Sequence, residues 1–134
     1  MAFKMIMMLK RKKGMTPEAF RHAYETGHSR IGMRLFGHLW TEYRRNYIGP
    51  GTTFSAADGA LPEHLAASAS CPYDVVSEMV FKDAAALDEL RRIASIPENQ
   101  KLLAEDEKTL FDRDACWINI VDVVQEDLSG VPKK

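Results

Sequence analysis

The chain of 134 residues lacks most of the features that announce a chemistry. It has two cysteines, Cys71 and Cys116, and they form no CxxC pair. That excludes a thiolate zinc motif or a disulfide framework and leaves two free thiols of a reducing compartment, buried and inert by default. It has no excess of one charge: 18 basic and 19 acidic residues are interspersed, for a net charge of −1. Nucleic acid and anionic membrane are therefore not expected as partners. No apolar run approaches the ~20 residues needed to cross a bilayer. The opening MAFKMIMMLKRKKG does not have the layout of a signal peptide. Its apolar run stops at Leu9, the basic residues follow rather than precede it, and no small-residue cleavage site comes after. The expected location is the cytoplasm. There is no GxSxG, no Walker-type loop and no GxGxxG, so serine-hydrolase, nucleotide and dinucleotide chemistry have no support. Internal repeats and low-complexity tracts are absent as well.

What is present is the composition of one ordinary globular domain, long enough to bury a core without disulfides or metals. Its most informative stretch is 16–37, TPEAFRHAYETGHSRIGMRLFG. The pattern predicts one long amphipathic helix. Thr16 is placed to cap it, Pro17 sits at the first helical position, Glu18 favours the positive end of the dipole, and Gly37 marks the stop. At about 100° per residue, Phe20, Tyr24, Gly27, His28, Ile31 and Leu35 fall on one stripe, while Arg21, His22, Glu25, Thr26, Ser29 and Arg30 lie outside it. His28 therefore stands at the edge of the apolar face.

Taken in order, Phe3 to Arg11 predicts a strand that is apolar on both faces, hence buried on both. KRKKG turns into the long helix. His38 to Ile48 predicts a second strand, with Leu39, Thr41, Tyr43, Arg45 and Tyr47 on one face and Trp40, Glu42, Arg44 and Asn46 on the other. Residues 49–72 are rich in Gly, Ala, Ser and Pro and too long for a plain connection. They are expected to be a mobile or lid-like excursion, with LPEHLAA as a single helical turn. Tyr73 to Phe81 predicts a third strand, Asp83 caps a helix to about Ala94, Pro97 opens another to about Phe111, and Cys116 to Val124 forms the last strand. A single domain over 1–125 and a polar tail over 126–134 follow. The order β-α-β-β-α-β is the α+β, ferredoxin-like pattern with an antiparallel sheet. Helices would cover one face of that sheet. The apolar residues on the other face need a cover, and a second copy of the chain is the simplest one, giving a homodimer.

The opening strand followed by TPEAFRHAYETGH resembles the EthD family of dimeric α+β barrel proteins, with Phe20, Tyr24 and His28 in the places of its motif. LWTEYRRNYI is similar to the family's second strand at Tyr43 and Asn46. YDVVSEMVF is similar to its third at Tyr73, Asp74, Glu78 and Phe81, and DEKTLFD resembles the segment before its last strand at Asp106, Glu107, Phe111 and Asp112. Where the family has a Glu in the final strand this chain has Asp122, and no role is carried onto it. The resemblance implies a dimeric barrel without cofactor. It further implies lyase, dehydratase or isomerase chemistry on an aromatic, polyketide-like or lactone metabolite, with cofactor-free oxygenation of a phenol or anthrone, or a non-catalytic accessory role, as alternatives. Fold alone does not choose among these.

An ordinary imidazole titrates near ~6.5 and can exchange a proton at neutral pH. Periodicity alone makes His28 a buried histidine bonded to a carbonyl; the resemblance makes it the general acid–base. Tyr43 and Tyr24 can donate to a developing oxyanion, or can be core aromatics with a wet tip. Asp112 can orient the imidazole, or terminate the helix before the last strand. Glu78 and Arg45 can bind a polar substrate, or simply pair across neighbouring strands. Trp40 and Phe111 offer aromatic walls, with packing as the plainer alternative. His22, Glu25 and His28 span about 120° of helix, too wide to converge on one ion when compared with the i, i+4 pair of HExxH, so no metal is expected.

Overall fold

The computed structural model describes residues 3–65 and 71–133. Four strands, β1 (Phe3–Leu9), β2 (Trp40–Tyr47), β3 (Val75–Phe81) and β4 (Trp117–Val121), form one sheet in the order β2-β3-β1-β4. Every neighbouring pair is antiparallel. Between β1 and β2 run α1 (Pro17–Ala23), a π-helical turn (Tyr24–His28), α2 (Ser29–Phe36) and a 3-10 turn (Gly37–Leu39). A short α3 (Phe54–Ala57) lies in the long connection, and α4 (Ala84–Ala94) and α5 (Pro97–Leu110) separate β3 from β4. This is the ferredoxin-like α+β arrangement.

The capping residues do what the pattern predicts. Thr16 Oγ1 accepts from Ala19 N at 3.1 Å, and Asp83 Oδ1 accepts from Ala86 N at 2.8 Å. Each satisfies an N–H of a first turn, which helical geometry leaves without a partner. Pro97 occupies the first turn of α5. Gly14 ends the basic turn at φ 83°, a conformation glycine takes without a Cβ penalty. That turn is tied down by Asp74, which accepts from both the backbone N–H and the guanidinium of Arg11.

Along β3, Val75, Ser77, Met79 and Phe81 are buried under the helices, while Val76, Glu78 and Val80 face the opposite side. Cross-strand register extends this division to the whole sheet. Met5, Met7 and Leu9 of β1 and Tyr43, Arg45 and Tyr47 of β2 join the helix side; Lys4, Ile6 and Met8 with Glu42, Arg44 and Asn46 join the other. The core divides into two clusters. One gathers Met5, Phe36, Leu39, Met79, Phe81 and Leu87, and the other Leu9, Phe20, Tyr24, Val75, Leu110 and Phe111. Tyr24 and Phe111 of the second cluster pack against His28.

Four local expectations need correcting. The helix over 16–37 is not continuous α-helix: the π turn at Tyr24–His28 holds one extra residue. All later side chains rotate by about 100° relative to the predicted stripe. Ser29, placed outside the stripe, is therefore 1% exposed, and Phe36 rather than Leu35 is the buried residue at the C-terminal end. In β2 a bulge between Trp40 and Glu42 brings Trp40 onto the Tyr43 side, with ring centroids 5.0 Å apart, instead of the Glu42 side. The last strand ends at Val121 rather than Val124. Leu61 to Leu65 is not helical, and the remainder of the predicted turn lies outside the described residues.

Candidate functional site

The π turn decides where His28 points. Its N–H to C=O ladder slips by one residue, so that Ser29 N donates to Tyr24 O, and the Glu25 carbonyl accepts from Ser29 Oγ and Arg30 Nε, both at 3.0 Å. His28 then faces α5. Its Nδ1 lies 2.7 Å from Asp106 Oδ2. A carboxylate only accepts, so Nδ1 carries a proton and donates it; in the neutral imidazole of that tautomer the lone pair is on Nε2. Nε2 makes no hydrogen bond to any described residue. The imidazole meets the Phe111 ring edge-on, with centroids 5.1 Å apart and an interplanar angle of 87°, and the Tyr24 ring packs 6.0 Å away. These two rings leave the imidazole little freedom to rotate.

His28 opens onto a cavity of about 400 Å³ between the π turn, α5 and strands β1 and β4. Met7, Leu9, Phe111 and Ile118 supply apolar walls; Glu107, Arg113, Asp114 and Cys116 supply the polar ones. Glu107 Oε1 is held by Arg113 Nε at 3.2 Å. Cys116 Sγ accepts from Lys10 N at 3.2 Å, and burial pushes its thiol pKa up, which disfavours the nucleophilic thiolate. Among the described residues no three His, Cys, Asp or Glu side chains are grouped closely enough to hold a metal ion.

A second polar group lies deeper, between the π turn and β2. Tyr43 OH donates to Tyr24 OH at 3.1 Å, and Tyr24 OH lies 2.7 Å from Ser77 Oγ. Tyr24 is 0% exposed, and burial pushes its pKa well above the usual phenol range; burial raises that of Tyr43 also. Beside it, Arg45 Nε and Nη2 donate to the two oxygens of Glu25 at 2.5 and 2.7 Å, and Tyr47 OH donates to the same carboxylate at 2.6 Å. The Arg45 bonds hold the Glu25 carboxyl down to about 2. Desolvation, followed by the bond to Glu25, raises the Tyr47 phenol.

The structure brings together two of the residues picked from sequence, His28 and Phe111, and separates the others from the cavity. Asp112 is not the partner of the imidazole: its backbone N–H donates to Lys10 O at 2.9 Å, and Asp106 takes the orienting place because α5 presents it to the π turn. The hydroxyls of Tyr43 and Tyr24 are committed to one another and to Ser77, away from the cavity. Arg45 pairs with Glu25 rather than with Glu78 or a ligand. Glu78 stands on the opposite face of the sheet, 2.6 Å from Lys4 Nζ and 2.9 Å from Asn46 Nδ2, contacts that lower its pKa. Trp40 belongs to the first core cluster, against Phe36, Tyr43 and Phe81. Asp106 was the residue to find. The sequence holds a signal for it, since Leu103, Asp106 and Leu110 recur at i, i+3 and i+7, which puts a carboxylate on the buried stripe of α5. A buried-side carboxylate needs a partner.

Fold and cavity together define a ferredoxin-like α+β domain with a histidine–carboxylate pair at a partly apolar pocket. The chain belongs to the EthD family: the model of the EthD domain matches residues 12–114. Among solved structures it is similar to an ethyl tert-butyl ether degradation (EthD) family protein from Bacillus halodurans C-125, with 14% identity, TM-score 0.57, and 92% of this chain and 100% of that one covered. It is similar also to an EthD-like protein from Ralstonia eutropha JMP134, at 16% identity, TM-score 0.56 and coverage of 94% and 95%. A third likeness is to a dimeric ferredoxin-like protein of unknown function from Jannaschia sp. CCS1, at 20% identity, TM-score 0.51 and coverage of 92% and 100%. At these identities the likeness concerns the fold. No curated protein matches the sequence. Among the described residues no helix is long and apolar enough to cross a membrane.

Proposed function

We propose that the chain is a cofactor-free enzyme that moves a proton on a small, partly apolar molecule, in a lyase, dehydratase or isomerase reaction, with Nε2 of His28 as general base. One observation carries this reading: the 2.7 Å contact between Asp106 and Nδ1 of His28, a histidine that lines the cavity. It supports the tautomer protonated at Nδ1, which leaves Nε2 as the nitrogen available to a ligand, and supplies a negative charge to the imidazolium once the proton has been taken. The apolar walls hold the body of the substrate, and the protonated imidazole returns the proton to another atom or to a leaving group. Tyr24 and Tyr43 hold the π turn on the sheet and take no part in the chemistry.

The working unit is a homodimer closed over the uncovered face of the sheet. Ile6, Met8, Val76, Val80 and Trp117 share that face by register, Trp117 is 58% exposed, and the similar proteins from Jannaschia and Thermobifida fusca are dimeric. Apolar area of this kind is normally covered.

The test is untargeted mass spectrometry of a metabolite extract from the source cell, incubated with wild type, His28→Ala or Asp106→Asn. A metabolite consumed by wild type, ~10²–10⁴-fold more slowly by His28→Ala and ~10–100-fold more slowly by Asp106→Asn, supports the reading, and its mass change gives the reaction class. Consumption at the same rate by His28→Ala removes His28 from the mechanism.

A further inference from the structure

The mouth of the cavity has a chemistry of its own. Phe111, Arg113 and Asp114 line both the His28 cavity and a shallower one of about 440 Å³ next to it, where Lys12, Lys13, Lys108 and Asp112 complete the wall. Lys12 and Lys13 come from the basic turn after β1, and Lys108 from the last turn of α5. They are brought together because the turn is zipped onto the end of α5: Lys12 N donates to Leu110 O at 2.8 Å, and Asp112 N donates to Lys10 O at 2.9 Å. The backbone, not the side chains, therefore fixes this cluster.

The shallower cavity carries four cations against the two carboxylates of Asp112 and Asp114, in a chain whose net charge is −1. Among the described residues none of the three lysines is in an ion pair, whereas Arg113 is bonded to Glu107. Further in, the His28 cavity is walled by Met7, Leu9, Phe111 and Ile118, with Cys116, Asp114 and the Glu107–Arg113 pair as its polar side chains and Asp106 bonded to the imidazole. The charge of the site is thus graded, from carboxylates and apolar walls around the imidazole to lysines at the rim.

We infer that the ligand of the His28 cavity is an amphiphilic anion. Its apolar body lies between Met7, Leu9, Phe111 and Ile118, and its carboxylate or phosphate stays at the mouth on Lys12, Lys13 and Lys108. This rests on the reading that the cavity takes a small molecule, and adds the charge and the direction in which the molecule enters. The anionic group remains partly hydrated, so each contact is weak and the cluster together gives a modest gain in affinity and in capture rate.

The experiment is a ligand-observed NMR titration with 2-naphthoate, 2-naphthyl phosphate and the uncharged 2-naphthamide. The proteins are wild type and the triple variant Lys12→Gln, Lys13→Gln, Lys108→Gln, with circular dichroism to confirm that the variant is folded. At low salt, wild type is expected to bind at least one anion about tenfold more tightly than the amide. The gap narrows at 0.5 M salt, where charges more than a few ångströms apart are screened. Which anion is preferred tells carboxylate from phosphate. The triple variant should bind anion and amide alike while keeping the wild-type affinity for the amide. Equal affinity of wild type for all three probes, or a preference that survives in the triple variant, overturns the inference; the proton-transfer reading then still stands or falls on His28→Ala. No binding of any probe overturns the inference as well, and again leaves the proton-transfer reading to His28→Ala.

Discussion

Replacing Glu25 by Gln removes one negative charge from the junction of the π turn and β2 while keeping the volume and an acceptor for Tyr47 and Arg45. The carboxyl has an ordinary value of 4.5 and is held at about 2 in the folded chain, first by the Arg45 bonds and then by Tyr47. A group whose folded value lies below its unfolded one contributes stability in full above the unfolded value. It loses that contribution as the pH falls toward the folded value, here between about 5 and 2. At about 1.36 kcal/mol per pH unit the difference is worth about 3 kcal/mol. The Glu25 and Arg45 side chains are 31% and 18% exposed, and solvent screening of such a pair leaves about 1–2 kcal/mol. Urea unfolding of wild type and Glu25→Gln, followed by circular dichroism at pH 7, 5, 3 and 2, measures this directly. The variant is expected to be less stable by about 1–2 kcal/mol at pH 7, and the two curves should converge near pH 2. Two proteins separated by a constant amount over the whole range, or not separated at pH 7, would refute the assignment of this carboxylate as an ion-paired strut.

Tyr24→Phe removes the hydroxyl between Tyr43 and Ser77 and leaves a buried Ser77 without a partner. It should lower unfolding stability by about 1–3 kcal/mol and leave ligand affinity at the His28 cavity unchanged in the same NMR titration. Asp83→Ala deletes the cap of α4 and should cost about 1 kcal/mol, read as a lower urea midpoint with the slope preserved. Trp117→Glu puts a charge on the uncovered face of β4; light scattering should give a monomer where wild type gives a dimer, and a dimer in both would place the interface elsewhere. Gly14→Ala forces a Cβ into φ 83° and should cost about 1 kcal/mol, because nothing packs there to compensate.

The pattern of apolar residues was enough to read the order of strands and helices, the helix starts at Thr16, Asp83 and Pro97, and the antiparallel α+β architecture. These depend on local periodicity and capping chemistry, which are written in neighbouring residues. Periodicity placed His28 at the edge of a helical stripe but by itself made it a buried structural histidine, and Phe111 a packing residue; what drew attention to both was the resemblance to the EthD family. The tertiary structure alone decided the rest of the site. The π turn adds one residue to a helix whose sequence reads as regular, so the stripe predicted past Tyr24 is out of phase and Ser29 goes inside. The bulge in β2 does the same for Trp40. The orienting carboxylate is Asp106 and not Asp112, because the partner of His28 is set by where α5 crosses the π turn, 78 positions along the chain from His28. Arg45 turned to Glu25 rather than to Glu78 because the two carboxylates lie on opposite faces of the sheet, which no local spacing specifies. Periodicity records which side of an element is buried; what it is buried against is fixed only when distant elements pack.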